Sequence, residues 1–487
     1  MKLGRLPWFG ALGLICCQTS VERPASTQHA VAPPHVGASG AVSECDYTVR
    51  VPAESPGAHF VLDVQVHCRG RAISGLRAKD ELTAENVVVL DSRGQPIARS
   101  SSSFLLPAPR QVAGFSYRVD LDRLAHSARN TALDYAMRRD SAWLAPASSF
   151  LLHPLPLATD TRVRIHVETK GHAKFASGLL QRGDDYSAFA HELPVASYAA
   201  LGEFDRYSAH VGASELEIAV LGSRYALSPE RLRDYVLDGA RLVADFYGRF
   251  PVPHVFVSVV SVPEVDSIVF GRLLPESGPG IVLLVGEKAG EAALERDWVL
   301  VHELLHLGVP SFDNEGKWFD EGLATYFEPL IQARAGRRSS QAAFSEFARE
   351  MPRGLGALTQ HGLETAKTSG GIYWGGALFC LIADVEIRRA SGGRVGLEAG
   401  LRAILEHGGN ASEVWDLQDA LKVADSAFPH PVLLPLKQRF ADGTSAFDLA
   451  ELWNALGVEL RGPDVTFDDS APLARVRQTL TEGASSR

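Results

Sequence analysis

The sequence predicts an α+β protein in three parts: a β-rich N-terminal domain, a unit of mixed strands and helices, and a helical C-terminal lobe. Three patterns predict it. Between 44 and 205, short β-branched runs such as Asn86-Val-Val-Val-Leu-Asp, Phe115-Ser-Tyr-Arg-Val-Asp and Arg162-Val-Arg-Ile-His-Val alternate with turn residues, as a β-sandwich requires. Between 206 and 330, apolar strands are followed by helices. From 331 to 462, apolar residues recur at helical spacing, as in Ala377 to Ala390, Leu397 to His407 and Phe447 to Leu456. A chain of 487 residues has room for these parts, since roughly 150 residues make a domain.

With 46% hydrophobic and 22% charged residues, the chain is of ordinary globular composition, neither disordered nor fibrous. A formal net charge of -10 and the lack of a Lys/Arg run argue against a nucleic-acid partner, which needs a concentrated basic face.

Residues 1–17 read as an export signal. Lys2 and Arg5 precede an apolar stretch from Leu6 to Cys17 that is too short to cross a bilayer. Leu14-Ile15-Cys16-Cys17 resembles a bacterial lipobox, with Cys17 as the residue that would be lipidated and tether the chain to a membrane. An ordinary signal peptide is the alternative. Either way the mature chain leaves the cytoplasm for the cell envelope, facing the periplasm or surface. Residues 18–43, rich in Pro, Ser, Ala and Gly, then form a flexible linker.

The domain of residues 44–205 opens on two strand-like runs around Pro52 to Ala58, a hairpin with Cys45 and Cys68 at its open end. An oxidising compartment permits a disulfide there; two buried thiols are the alternative. Cys380 falls in an apolar helix and reads as buried.

In 206–330, Ser228-Pro-Glu-Arg caps a helix that ends at Tyr247-Gly248. The runs Val255-Phe-Val-Ser-Val-Val and Gly280-Ile-Val-Leu-Leu-Val follow as strands, the second either an edge on which a peptide could lie or a core strand. A long helix from about Gly290 then carries His302-Glu303-Leu-Leu-His306. Residues four apart share a helical face, so two imidazoles can chelate one zinc ion, and Glu303 stands beside the first to act as base on a metal-activated water. A hydrolytic zinc takes three protein ligands and leaves one corner open, and His2Glu is an established set. Glu321, in Trp318-Phe-Asp-Glu-Gly-Leu-Ala-Thr-Tyr, supplies the third from a second helix.

H-E-x-x-H paired with W-x-x-E-G-x-A-x-Y resembles the gluzincin metallopeptidases, above all the glycyl aminopeptidase family and more distantly aminopeptidase N and thermolysin. Phe246-Tyr-Gly-Arg-Phe-Pro, Tyr373-Trp-Gly-Gly-Ala377, Asp384-Val-Glu-Ile-Arg-Arg and Phe440-Ala-Asp-Gly extend the likeness over roughly residues 205 to 460. It implies a thermolysin-like catalytic domain and a zinc peptidase, with the aminopeptidase branch as the finer reading, acting on peptide or protein substrates. It also implies that Tyr373 donates a hydrogen bond to the oxyanion; a core tyrosine is the other reading. The alternative function is an envelope lipoprotein that binds zinc or peptide as a non-catalytic scaffold.

The chain departs from the pattern in three places. Only fourteen residues separate His306 from Glu321, roughly one helical turn fewer than in the aminopeptidase families, which leaves Glu315 or Asp320 open as third ligand. The family's amine-binding glutamate is not legible in Phe270-Gly-Arg-Leu-Leu-Pro-Glu276, where Glu276 is either that group or a solvated loop carboxylate. The PDZ domain is not legible after the helical lobe, where residues 463–487 give no clear signal. Glu328 and Thr325 share the face of Glu321; the first is a candidate to orient a ligand or a surface charge, the second a candidate partner for an imidazole.

Overall fold

The computed structural model describes residues 44–482 apart from 55–57, 71–72, 107–111, 157–160 and 313–315. The signal, the linker, Cys17 and Glu315 therefore lie outside the described residues.

The N-terminal domain is built on a seven-stranded sheet in which Glu44–Val51 pairs antiparallel with Val61–Arg69 and parallel with Arg162–Thr169. Burial alternates along the first two strands, so Tyr47, Val49, Leu62, Val64 and Val66 face one core and their neighbours face out. Cys45 sits opposite Cys68 in the register, and the two form a disulfide. The facing layer is a four-stranded sheet containing Ala142–Pro146 and Tyr198–Gly202, both buried on both faces. Trp143, Ala145, Ala199 and Leu201 join the core of the large sheet, while Ala142, Leu144, Tyr198 and Ala200 pack against Ala219, Leu221, Phe256, Val260 and Val282 of the next unit. The sandwich thus shares its inner sheet with the unit that carries the candidate site.

That unit holds a five-stranded sheet in the order Asp205–Val211, Ser214–Leu221, His254–Val262, Gly280–Gly286, Ile268–Leu274. His254–Val262 is parallel to both neighbours and buried on both faces, which is why it reads as a continuous apolar run. Gly280–Gly286 is interior, flanked on both sides, so the edge-strand reading of it is corrected: the edge is Ile268–Leu274, antiparallel to it. The helix Pro229–Tyr247 covers the opposite face, with Ser228 Oγ accepting from Arg231 N at its start and Gly248 at φ 82° at its end.

The long helix expected from Gly290 is two short ones, Glu291–Glu295 and Val299–Leu305. Asp297 marks the break: its carboxylate accepts the N–H groups of Val299 and Leu300, both at 3.0 Å, and so caps the start of a new helix. The helical lobe follows, led by Lys317–Arg334 and Gly376–Ser391, which meet backbone to backbone. A Cβ at Gly322 would overlap the backbone of Gly376, so glycine is needed there for the two helices to close.

Residues 463–482, silent in the sequence, form regular elements. Asp464–Phe467 pairs with Val458–Arg461, and the helix Ala474–Glu482 packs Leu480 into the lobe while Arg477 donates to Leu456 O and Gly457 O, both at 3.0 Å. The missing signal has a physical cause: this helix is mostly polar in sequence, its apolar contact is limited to Ala474, Val476 and Leu480, and a buried arginine supplies the bonds to Leu456 and Gly457.

The disulfide closes a loop of sequence separation 23 in the first hairpin. Replacing Cys45 and Cys68 by Ala is expected to lower unfolding free energy by about 3 kcal/mol, by the loop-entropy relation. Guanidinium titration checks this, and a transition indistinguishable from the wild type would refute it.

Candidate metal centre

The helix Val299–Leu305 presents two stripes. Val299 and Glu303 face the edge strand, where a Cβ on Gly271 would stand 2.5 Å from Glu303 Cγ and 2.6 Å from a Val299 methyl carbon, so only glycine lets the strand lie this close. His302 and His306, one turn apart, face the helix Lys317–Arg334. His306 ends the α-helix and opens a short 3-10 turn, His306–Gly308, which reverses the chain.

That tight return is sufficient. His302 Nε2 lies 3.3 Å and His306 Nε2 3.7 Å from Glu321 Oε2, and the three candidate ligand atoms fall within 4.8 Å of one another. Ligand atoms about 2.0–2.2 Å from a tetrahedral zinc ion are roughly 3.3–3.6 Å apart, so the cluster has the dimensions of three corners of such a site. All three residues are buried or nearly so. Among the described residues, His302, His306 and Glu321 are the one such group of His, Cys, Asp and Glu.

Asp320 is not placed as a ligand. Its Oδ1 is 2.6 Å from His306 Nδ1, on the ring nitrogen opposite the one that faces Glu321. A carboxylate there fixes ring orientation and tautomer and leaves Nε2 with its lone pair for a metal. Burial pushes the His306 imidazole down, but the Asp320 charge and hydrogen bond, with Glu321 and Glu303 nearby, outweigh it and hold the group up at about 10. Burial pushes Glu321 up; the hydrogen bond from His302 and the charges of His306 and His302 overcome this and hold it down at about 2. Glu321 is therefore ionised over any ordinary pH range. Glu303 is 2% exposed, and burial raises its carboxyl above the usual range against the opposing pull of both imidazoles.

Tyr373 lies on a π-helical turn, Gly370–Gly375, that feeds the helix Gly376–Ser391, and its ring is stacked toward His302 with centroids 6.2 Å apart. The structure therefore brings Glu303 and Tyr373 to the same cluster. Glu276 sits in the turn after the edge strand, five residues beyond Gly271, where Ser277 O accepts from Leu180 N of the N-terminal domain. Glu328 is neither a surface charge nor a neighbour of the imidazoles. It is 4% exposed, burial holds its carboxyl well above the usual range, and its surroundings are Glu346, Arg338, Asp297 and Gln332. The Thr325 hydroxyl is buried without a hydrogen-bond partner, so it does not bond an imidazole.

Sequence reasoning missed Asp297 and Gly271. The first gave a signal that was available, an Asp followed two residues later by an apolar run; the second did not, because close approach of a strand is a tertiary fact.

No family model matches the chain, and no curated protein matches it in sequence. Among solved structures, an aminopeptidase N family protein from Idiomarina loihiensis is similar in fold, with a TM-score of 0.64 over 85% of this chain and 78% of that one at 14% identity. An M1 zinc metallopeptidase from Deinococcus radiodurans gives a TM-score of 0.48 over 84% of this chain and 95% of that one at 16% identity. The first establishes a shared fold: a sheet-rich N-terminal part and a helical C-terminal part.

If Asp320 orients His306, then Asp320→Asn should weaken zinc affinity by about 10- to 100-fold while leaving the protein folded. Competition against a chromogenic chelator measures it, and unchanged affinity would remove Asp320 from the site.

Proposed function

We propose that this chain is a zinc-dependent peptidase of gluzincin type, with His302, His306 and Glu321 holding one zinc ion and Glu303 acting as base and acid. The observation that carries the proposal is the convergence of two imidazole nitrogens and one carboxylate oxygen within 4.8 Å of one another, with a second buried carboxyl, that of Glu303, beside them. The donor set fits zinc, which takes mixed nitrogen and oxygen ligands and needs no larger coordination number. When bound, the ion supplies a Lewis acid for the scissile carbonyl and lowers the pKa of its water toward about 7.

The remaining work falls to the chain. Glu303 is packed against Gly271 of the edge strand, with both imidazoles and Glu321 close by. It accepts a proton from the attacking water and returns it to the departing amine nitrogen, for which a carboxyl raised toward neutrality is suited. The Tyr373 phenol donates to the oxygen on which charge develops, stabilising the transition state more than the substrate. The edge of Ile268–Leu274 offers main-chain groups beside Glu303 on which a peptide can lie extended.

The name of the Idiomarina protein with the shared fold supports peptide bonds as the target and the aminopeptidase branch as the finer reading. A non-catalytic scaffold has no use for a buried carboxyl beside an open metal corner, and that argues for turnover. In the cell we place the enzyme outside the cytoplasm, tethered through a lipid on Cys17. Labelled fatty acid is expected in the wild type and not in Cys17→Ser; equal labelling would end that part of the proposal.

Glu303→Gln is expected to bind one equivalent of zinc, as the wild type does, and to lose about 10²- to 10⁴-fold in peptide turnover. Metal analysis and mass spectrometry of a digested peptide mixture read both quantities. Equal turnover would sink the mechanism, and stepwise loss of residues from amino termini would favour the aminopeptidase branch.

A further inference from the structure

We propose that Trp298 selects the substrate side chain flanking the scissile bond, and that the site prefers a large apolar or aromatic residue there to an acidic or basic one. This rests on the peptidase reading and names its substrate class.

Trp298 stands four residues before His302 and eight before His306, so all three lie on the stripe that faces the metal cluster. Its indole meets the His302 ring edge to face, with centroids 5.4 Å apart and planes at 86°. Every residue from Val299 to Leu305 is buried, yet Trp298 keeps 37% of its surface exposed. It is the N-cap residue of the helix but forms no side-chain cap, that task belonging to Asp297, so capping does not account for an indole at this position.

A large apolar ring left open beside a buried ionic cluster is covered at little cost by an apolar group of a ligand. The rest of the lip matches it. Along the edge strand Ile268 and Leu273 share the face of Gly271 and are half-buried, while the strand's charged residue, Arg272, faces the N-terminal domain and is committed to Asp134 at 2.7 Å. Glu303, Glu321 and Asp320 lie close by, so an acidic substrate side chain would meet like charge. A cationic side chain over the indole is the competing occupant, since aromatic faces attract cations.

The test has two arms. The first compares peptides that differ only at the two positions flanking the cleaved bond, carrying Phe, Leu, Ala, Lys or Glu, with wild type, Trp298→Phe and Trp298→Ala. The wild type should favour Phe and Leu over Ala, Lys and Glu by about tenfold in kcat/KM. Trp298→Phe should keep that order, and Trp298→Ala should flatten it to within about twofold, with the change in KM more than in kcat. The second arm needs no turnover: tryptophan emission of zinc-loaded Glu303→Gln should change on titration with the Phe peptide, and the change should vanish in the Glu303→Gln/Trp298→Phe pair. An unaltered profile in Trp298→Ala, a wild-type preference for Lys, or an emission change that survives without Trp298 would each overturn the inference. A wild type that cleaves none of the peptides would instead defeat the peptidase reading, and the emission arm would still decide whether Trp298 contacts a bound peptide.

Discussion

The architecture depends on one electrostatic constraint: Glu303, Glu321 and Asp320 are gathered around two imidazoles in the protein interior. Ionised carboxylates taken out of water are destabilising unless cations or donors meet them at close range. Here the two histidines supply donors at close range, and the raised His306 and lowered Glu321 are the titration signature of the pairing. A divalent cation between the same three atoms would meet the charge more fully than a single proton on an imidazole can. The same grouping that makes the cluster costly to bury makes it selective for a dication.

A cluster of this kind works only if its parts cannot drift, and the fold holds it from two sides. Beneath, the five-stranded sheet rests on the inner sheet of the N-terminal domain through small and flat contacts, Ala142, Ala200 and Ala219 among them. Small residues on facing strands let the layers approach closely and leave little freedom to slide. Above, the edge strand touches the metal helix at Gly271, so the position of Glu303 is set by a backbone rather than by a side chain that could change rotamer.

What the sequence showed follows from what is local. Helix periodicity placed His302, Glu303 and His306, and the cap at Ser228 and the cysteine hairpin were equally visible because each is decided within a few residues or by strand alternation. The break at Asp297 was legible as an Asp ahead of an apolar run but passed over, whereas the order of the sheet was hidden because adjacency of Gly280–Gly286 and Ile268–Leu274 is fixed by pairing, not by composition. Glu321 was legible as a residue type at a spacing. Asp320, beside it, was open as a third ligand and instead bonds His306 Nδ1, since sequence cannot say whether a neighbouring carboxylate will reach a metal or the far side of an imidazole.

The helix Lys317–Arg334 joins these themes, because its faces make different bonds. One end offers Asp320 and Glu321 to the histidines. Farther along, Tyr326 donates to Asp384 at 2.9 Å, and Asp384 with Glu398 encloses the fully buried Arg388. Farther still, Gln332 donates to the main-chain carbonyl of Asp297 at 2.9 Å, the residue that starts the metal helix and receives the Tyr235 hydroxyl. Apolar packing alone would tolerate a small rotation of this helix, whereas hydrogen bonds at both ends fail within a few tenths of an ångström or some tens of degrees. A rotation that moved the Glu321 carboxylate off the imidazoles would break the Tyr326 and Gln332 bonds in the same motion and leave buried partners unpaired. The buried arginine cluster, remote from any substrate, therefore belongs to the same device as the ligands: it fixes the angle at which Glu321 enters the site.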